Sequence, residues 1–406
     1  MAFGASAANA GITIPAGDWT IDIGGNVNAF YTNTRFSGNL ESRTDGAYTS
    51  ENANNVQTGL LPSALGIGGK TRQNDLDIAF QFTFFTGVDS GSGEAFGGNT
   101  ENIRQAYMTF GDASWGTIKM GRDLGIFGSD AILSDMTLLG VGHGAGIGGS
   151  STLGRIGSGY MYADWKGQIS YMSPNWNGFS FAVGIDEGFN NRADVSNNNL
   201  GYAGKASYEW TGDVAGKVWT GFTSTDHEDA TLATCTGVAG VNTAGNPVCT
   251  GTAGTARVKG ERASAWELGG KVGFSGIELV GYYYDGNSIS GANTVGLTGN
   301  LNLNGGQSFA NPLDTDDDGY YVQATYVLPG IGTKLGASYG RSTSENNDTK
   351  LEFEHDSWII GAYHPLTKSL NLVVEYTDAE LKQERAGLSD AKLEAKTISL
   401  GAIMFF

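Results

Sequence analysis

Polar and apolar residues alternate with a period of two from one end of this chain to the other, and that feature limits its fold more than any other. The clearest stretch is Asp75-Leu-Asp-Ile-Ala-Phe-Gln-Phe-Thr-Phe84. One face carries Asp75, Asp77, Ala79, Gln81 and Thr83; the other carries Leu76, Ile78, Phe80, Phe82 and Phe84. A strand of a soluble sandwich could turn such an apolar face inward. Here that face is continuous and aromatic at its ends, while the opposite face keeps small, polar and charged groups. This favours the inverted arrangement, with the apolar face toward lipid and the polar face toward a wet lumen. No run approaches the roughly 18 consecutive apolar residues of a membrane-spanning helix, which excludes a helical membrane protein but not one that crosses with strands.

The pattern recurs. Ile21, Ile23, Val27, Ala29 and Tyr31 share one face of the first strand, and Asp22, Gly24, Asn26 and Asn28 the other. Further alternating segments with aromatic ends lie at 201–210, 217–222, 266–274, 277–284, 320–326, 334–339, 358–363, 371–376 and 396–406. Terminal Trp, Tyr and Phe suit the interfacial girdles of a membrane barrel, where an amphipathic ring sits at headgroup depth. Short connections such as Ser275-Gly276 alternate with long ones, read at 32–62, 87–100, 124–158, 226–262, 287–318, 342–355 and 379–395. No fixed repeat of the kind a solenoid needs is present. The expected fold is all-β: one transmembrane, antiparallel, up-and-down barrel of about 16 strands over residues 11–406, with short periplasmic turns and long external loops. A barrel of that size encloses water rather than a packed side-chain core.

Several function classes are set aside by composition. The 406 residues carry a net charge of −18, so the basic footprint needed for nucleic acid is missing. The four histidines, His143, His227, His355 and His364, form no metal or catalytic spacing, and no Gly-x-Ser-x-Gly elbow occurs, so no enzyme is expected. The glycine-rich run 140–149 lacks the Gly-Lys-Ser/Thr ending of a phosphate loop. No cofactor is required by any motif. Asp314-Thr-Asp-Asp-Asp-Gly319 spaces Asp314, Asp316 and Asp318 like the opening of a calcium loop, but Thr325 stands where the closing Glu would be. It reads either as a structural calcium site or as a solvated acidic loop. Cys235 and Cys249 read as one loop disulfide in an exported chain, or as a reduced couple. Ala8-Asn9-Ala10 is similar to the small-residue end of a signal peptide whose basic part and most of its apolar part are missing. Residues 1–10 are thus a signal-peptide remnant or an alanine-rich terminus.

The stretch Arg104-Gln-Ala-Tyr-Met-Thr-Phe-Gly111, then Trp115-Gly-Thr-Ile-Lys-Met-Gly-Arg122, a long loop and Leu153-Gly-Arg-Ile156 resembles the Gram-negative general-diffusion (trimeric) porins. Ile169-Ser-Tyr-Met-Ser-Pro174, Asn177-Gly-Phe-Ser180 and the terminal Phe406 add to the likeness. The resemblance implies an outer-membrane homotrimer in contact with lipid and lipopolysaccharide, passing small hydrophilic solutes and ions. It also implies that 124–158 is the third loop, folded into the lumen as a constriction. Loop acids Asp135 and Asp130 would then face the wall arginines Arg104 and Arg155, with Arg122 nearby at a phase the alternation leaves open. Ala64 and Asn26 stand where the family places basic residues, so the charge ladder is thinner here. The net charge of −18 points to a cation-preferring pore, which the wall arginines would locally oppose; a substrate-selective channel and a closed adhesive barrel are the alternatives.

Overall fold

A computed structural model describes residues 11–38, 52–88, 102–146, 151–187, 200–226, 230–235, 239–241, 247–249, 253–258, 261–289, 314–347, 350–385 and 391–406. The expected signal remnant at 1–10 lies outside the described residues. Among them no helix is long and apolar enough to cross a membrane.

Sixteen antiparallel strands close into a barrel. In chain order the wall is Trp19–Gly38, one position shared by Asn52–Gln57 and Ser63–Gln73, then Leu76–Thr86, Asn102–Asp112, Gly116–Leu124, Trp165–Met172, Phe179–Glu187, Leu200–Trp210, Val214–Asp226, Arg262–Phe274, Ile277–Asn287, Thr315–Val327, Lys334–Asn346, Leu351–Pro365, Leu370–Arg385 and Ala391–Phe405. Closure comes from pairing of the first strand with the last, Asn26 opposite Phe405 and Gly38 opposite Leu393. Phe406 seals it: its amide donates to Gly25 O at 3.1 Å and its carbonyl accepts from Gly25 N at 2.9 Å. A short strand, Ile12–Ala16, pairs with Trp19–Ile23 and prolongs the same column beyond Phe406. Closure leaves no unpaired sheet edge, which lipid could not tolerate.

Alternation sets the faces. Along the first strand, Val27 and Tyr31 are exposed while Asn26, Asn28, Thr32 and Thr34 are buried inside. Two-residue hairpins pin the register at the short end. Asn74-Asp75 and Ser275-Gly276 all take positive φ, 47°, 61°, 48° and 81°, the twist-matched turn that only Gly, Asn, Asp and a few strained residues adopt. Asp75 is therefore a turn residue rather than the first strand residue.

Two long connections are shorter than expected. Strands Lys334–Asn346 and Leu351–Pro365 absorb most of 342–355, and Leu370–Arg385 and Ala391–Phe405 absorb most of 379–395. The outward residues there are charged, so the apolar alternation stops while the hydrogen-bonded ladder continues above the bilayer. Cross-strand ion pairs replace lipid contact: Arg341 with Glu354 at 2.8 Å, Lys382 with Glu354 at 3.0 Å, and Lys392 with Glu380 and Glu394. Cys235 and Cys249 end strands of two separate ladders, Ala230–Cys235 with Ala253–Val258 and Ala239–Val241 with Pro247–Cys249; their side chains, and hence the disulfide, lie outside the described residues.

Candidate constriction inside the barrel

Between Leu124 and Trp165 the described residues, 125–146 and 151–164, leave the wall and fold into the lumen. The inserted stretch runs six residues beyond the expected 158, to Asp164. It holds a short helix, Ser129–Ser134, and a 3-10 turn, Met136–Leu139. Asp135 joins the two: its Oδ1 accepts from Thr137 N at 2.9 Å and its Oδ2 accepts from the Tyr160 hydroxyl at 2.8 Å. Glycines let the rest fold on itself. Gly142 sits at φ 67°, and a Cβ there would lie 2.4 Å from Gly154 Cα, so the two arms meet backbone to backbone.

The wall grips this loop along its length, through residues on widely separated strands. Glu267 accepts from Gly128 N at 3.0 Å and from the Tyr282 hydroxyl at 2.8 Å. Gln323 accepts from Met136 N at 2.7 Å and donates to Ser134 O at 3.0 Å. Glu375 takes the amides of Val141 and Gly142, each at 2.8 Å, and the Tyr363 hydroxyl at 2.6 Å. Both carboxylates thus hold loop main chain beside a tyrosine from the neighbouring strand. Apolar packing completes the seat. Trp219, Tyr282, Tyr284 and Tyr321 point inward and meet Phe127, Ile132, Ile156 and Tyr160 of the loop. Tyr282 lies 5.7 Å from Tyr321, ring to ring, and Tyr160 the same distance from Tyr321. These rings are covered by the loop, while Tyr283 faces outward, so 282–284 does not form an open aromatic track.

Asp130 is in the lumen, paired with Lys205 at 2.8 Å and with Lys217. Burial pushes its carboxyl up, but the two lysines outweigh that and hold it below the usual carboxylate range. Arg155 is fully buried. Its Nε and Nη2 donate to Ser338 Oγ at 2.8 and 2.7 Å, and Nη1 donates to Ser357 Oγ at 3.0 Å. Arg155 and Asp135 therefore do not face each other across a gap; no ion pair joins them among the described residues, and each fastens loop structure. Arg104 owes its inward position to a β-bulge, because Thr83 pairs with Gln105 and Phe84 with Ile103, leaving Arg104 as the extra residue. Its guanidinium lies 4.8 Å from the Phe85 ring centre. Arg122, whose phase the sequence left open, faces outward. It pairs with Ala106 and Gly167 on the outer face and reaches Glu187 at 3.7 Å, away from the lumen. Ala64 and Asn26 do face inward, opposite each other.

The acidic motif does not gather. Thr315–Val327 is an extended strand, on which Asp316 and Asp318 alternate outward with inward Thr315 and Asp317. Asp316 accepts from Asn287 Nδ2 at 2.7 Å, and Asp314 accepts from Asn347 Nδ2 at 3.1 Å. Among the described residues no cluster of three or more acids, histidines or cysteines is placed to hold a metal. Sequence reasoning missed Glu267, Glu375, Lys205, Lys217 and Gln323. A signal existed: Glu267 stands alone between Trp266 and Leu268, and Glu375 between Val374 and Tyr376, so outward apolar neighbours force each carboxylate inward at mid-strand.

The model of the Gram-negative porin family matches residues 1–384. No curated protein is similar enough in sequence to count as a relative. Among solved structures, Salmonella typhi OmpF in complex with daunomycin is 18% identical, with a TM-score of 0.58 over 96% of this chain and 100% of that one. The outer-membrane channel DcaP of Acinetobacter baumannii is 14% identical, with a TM-score of 0.60 over 98% and 100%. In-vitro folded OmpT of Vibrio cholerae, in its trimer form, is 15% identical, with a TM-score of 0.56 over 96% and 99%. At such identities these likenesses establish the fold alone.

Proposed function

Since the chain belongs to the Gram-negative porin family, we propose that it is a passive diffusion channel for small hydrophilic solutes and ions, with a preference for cations. It is an outer-membrane β-barrel and a channel protein rather than an enzyme. The observation that carries the reading is the inserted segment between Leu124 and Trp165, fixed to the inner wall by carboxylates, an amide and an arginine. A loop pinned there narrows an aqueous barrel at one level and leaves the entrances wide, which is how a sieve for hydrated solutes is built.

Cation preference is supported by how the inner charges are partnered. Glu267 and Glu375 are spent on loop amides and tyrosine hydroxyls and, 0% and 1% exposed, lie beneath the loop rather than on the solute path. Arg155 is buried out of reach of a solute. Of the inward cations, Lys119 and Lys166 are tied to Asp123 and Asp186, and Lys205 and Lys217 share Asp130, while Arg104 lies against the Phe85 ring. Together with the net charge of −18, this favours cations over anions. Assembly as a homotrimer is part of the same proposal, supported by the trimer form of the similar OmpT barrel. Outward carboxylates above the apolar belt, Glu354, Glu380 and Glu394, suit contact with lipopolysaccharide phosphates through divalent cations.

Two measurements test this. Proteoliposomes should swell in small sugars and progressively less in larger ones. Zero-current potentials in a KCl gradient should have the sign of cation preference. An anion-selective potential would overturn the selectivity, and a barrel impermeable to every solute tried would overturn the sieve.

A further inference from the structure

Where the loop meets the wall, two histidines touch. His143 of the loop and His355 of the strand Leu351–Pro365 have ring centres 4.7 Å apart in an edge-to-face arrangement. Both are buried, 2% and 4% exposed. The His143 Nε2 lies 2.6 Å from Ile156 O. A carbonyl only accepts, so Nε2 carries the hydrogen and Nδ1 is a bare lone pair. That Nδ1 has no hydrogen-bond partner, and the His355 ring has only the Gly157 main chain within reach. They border a cavity with room for about one water, closed by Gly144, Thr377, Ala379, Leu393, Ala395 and Thr397. The hydroxyls there are already engaged: Thr377 donates to Gly142 O at 3.2 Å, and Thr397 pairs with Thr34 at 2.9 Å.

We propose that His143 and His355 form an acid-sensitive catch that releases the 142–146 stretch of the constriction loop from the barrel wall. The proposal rests on reading that loop as the channel constriction. Its basis is that no acid lines the cavity to balance a proton's charge, and only the main chain at Ile156 and Gly157 favours the charged rings. The elements packed on the pair bring no acid into the cavity: strands Leu370–Arg385 and Ala391–Phe405 contribute Thr377, Ala379, Leu393, Ala395 and Thr397, and the loop contributes Gly144. Of the charged groups nearby, Arg155 on the loop carries the same sign as a protonated histidine. Glu375, two residues from Thr377, already accepts from the two loop amides and Tyr363. The outward neighbours of His355, Glu354 and Asp356, face Arg341 on the other side of the wall, which places this part of the strand above the apolar belt. Burial, then the neighbouring His355 and Arg155, hold His143 well below the ordinary histidine range, with only the Ile156 carbonyl opposing them. Docked loop therefore requires neutral rings, whereas undocked loop gives both rings water. A base whose docked pKa is depressed disfavours docking as pH falls below its free value near 6.5. Below the free value each proton taken up shifts the docked-to-undocked ratio about tenfold per pH unit, so falling from pH 6.5 to 4.5 changes it up to about 50-fold for one ring.

The test is hydrogen exchange on the full-length protein in lipid, corrected for intrinsic rates, followed at the amides of His143 and Leu153. These bond to Gly154 O at 3.0 Å and His143 O at 2.9 Å. Wild-type protection at both should fall at least tenfold between pH 6.5 and 4.5 while mid-strand amides of the barrel stay protected. The double variant His143→Phe/His355→Phe keeps both ring shapes but cannot titrate, and should hold its protection across that range; each single variant keeps one titrating ring and should show a smaller acid loss than wild type. In planar bilayers, wild-type open-channel noise should rise with acid and that of the double variant should not. A full wild-type acid response in the double variant or in both single variants, or a wild type with flat protection, overturns the catch. Exchange is read without any current, so an absent channel and an absent catch are separate results.

Discussion

Arg155→Ala separates a structural arginine from a pore-lining one. Arg155 is fully buried and donates to Ser338 Oγ at 2.8 and 2.7 Å and to Ser357 Oγ at 3.0 Å. It also reaches the carbonyls of Ser158 and Ser357 at 3.3 Å. Truncation strands these acceptors, each at a cost of roughly 1–3 kcal/mol when left without a partner. Two effects reduce the sum. Ser158 and Ser357 already share a hydrogen bond of 3.0 Å and can keep it. The guanidinium also no longer has to be desolvated, which returns several kcal/mol. A net loss of about 2–4 kcal/mol is expected, with Arg155→Met losing less because volume is kept and no cavity opens. Urea unfolding in lipid, followed by tryptophan fluorescence, reads the stability, and the zero-current potential in a KCl gradient reads the selectivity. Stability should drop and current noise should rise while the cation-to-anion ratio stays where it was. A clear shift in that ratio with unchanged unfolding would show that Arg155 faces the solute path and refute the reasoning.

Other perturbations have equally definite outcomes. Asp130→Asn leaves Lys205 and Lys217 without their shared acid, so the zero-current potential should move toward anions. Because the lysines hold the Asp130 carboxyl below its usual range, its contribution to docking is present above the free value of about 3.9 and is lost only as pH falls through the lower docked value. Exchange at the Ser129–Ser134 helix should therefore stay slow in mild acid. Gly142→Ala puts a Cβ 2.4 Å from Gly154 Cα at φ 67°; backbone strain of about 1–2 kcal/mol and overpacking of about 1–3 kcal/mol should show as lost exchange protection in the loop, with the barrel intact. Arg122→Ala removes an outward pair of 3.7 Å between half-exposed groups, which should cost less than about 1 kcal/mol and leave conductance unchanged.

The barrel was legible because alternation is enforced by lipid on one side and water on the other, residue by residue. Asp75–Phe84 shows both the strength and the limit of this. Its faces are as read, yet Asp75 belongs to a hairpin turn, since turn chemistry and strand pattern overlap at a boundary. The external strand ends at 342–355 and 379–395 were read as loops because lipid no longer selects their outward residues, while the backbone ladder continues regardless. The site was less legible. A bulge at Arg104 inverts the phase that simple alternation assigns, and nothing local marks a bulge. The phase of Arg122, open in the sequence, is settled by its pairing with Ala106 and Gly167, which turns it outward. Inward Trp219, Tyr282 and Tyr321 break the rule that a barrel interior is polar, because they pack on an inserted loop that exists only in three dimensions. Asp314, Asp316 and Asp318 illustrate the converse. Their spacing suits a tight loop, but pairing with Ile277–Asn287 extends the segment, so Asp316 and Asp318 follow each other along one face instead of curling round an ion.

Single-channel recording in planar bilayers tests the central claim most directly. A barrel whose inserted loop narrows but does not close the lumen should give discrete, uniform conductance steps with a cation-selective zero-current potential. Membranes that contain the folded protein and show no steps would contradict it, because the loop would then be a plug rather than a constriction.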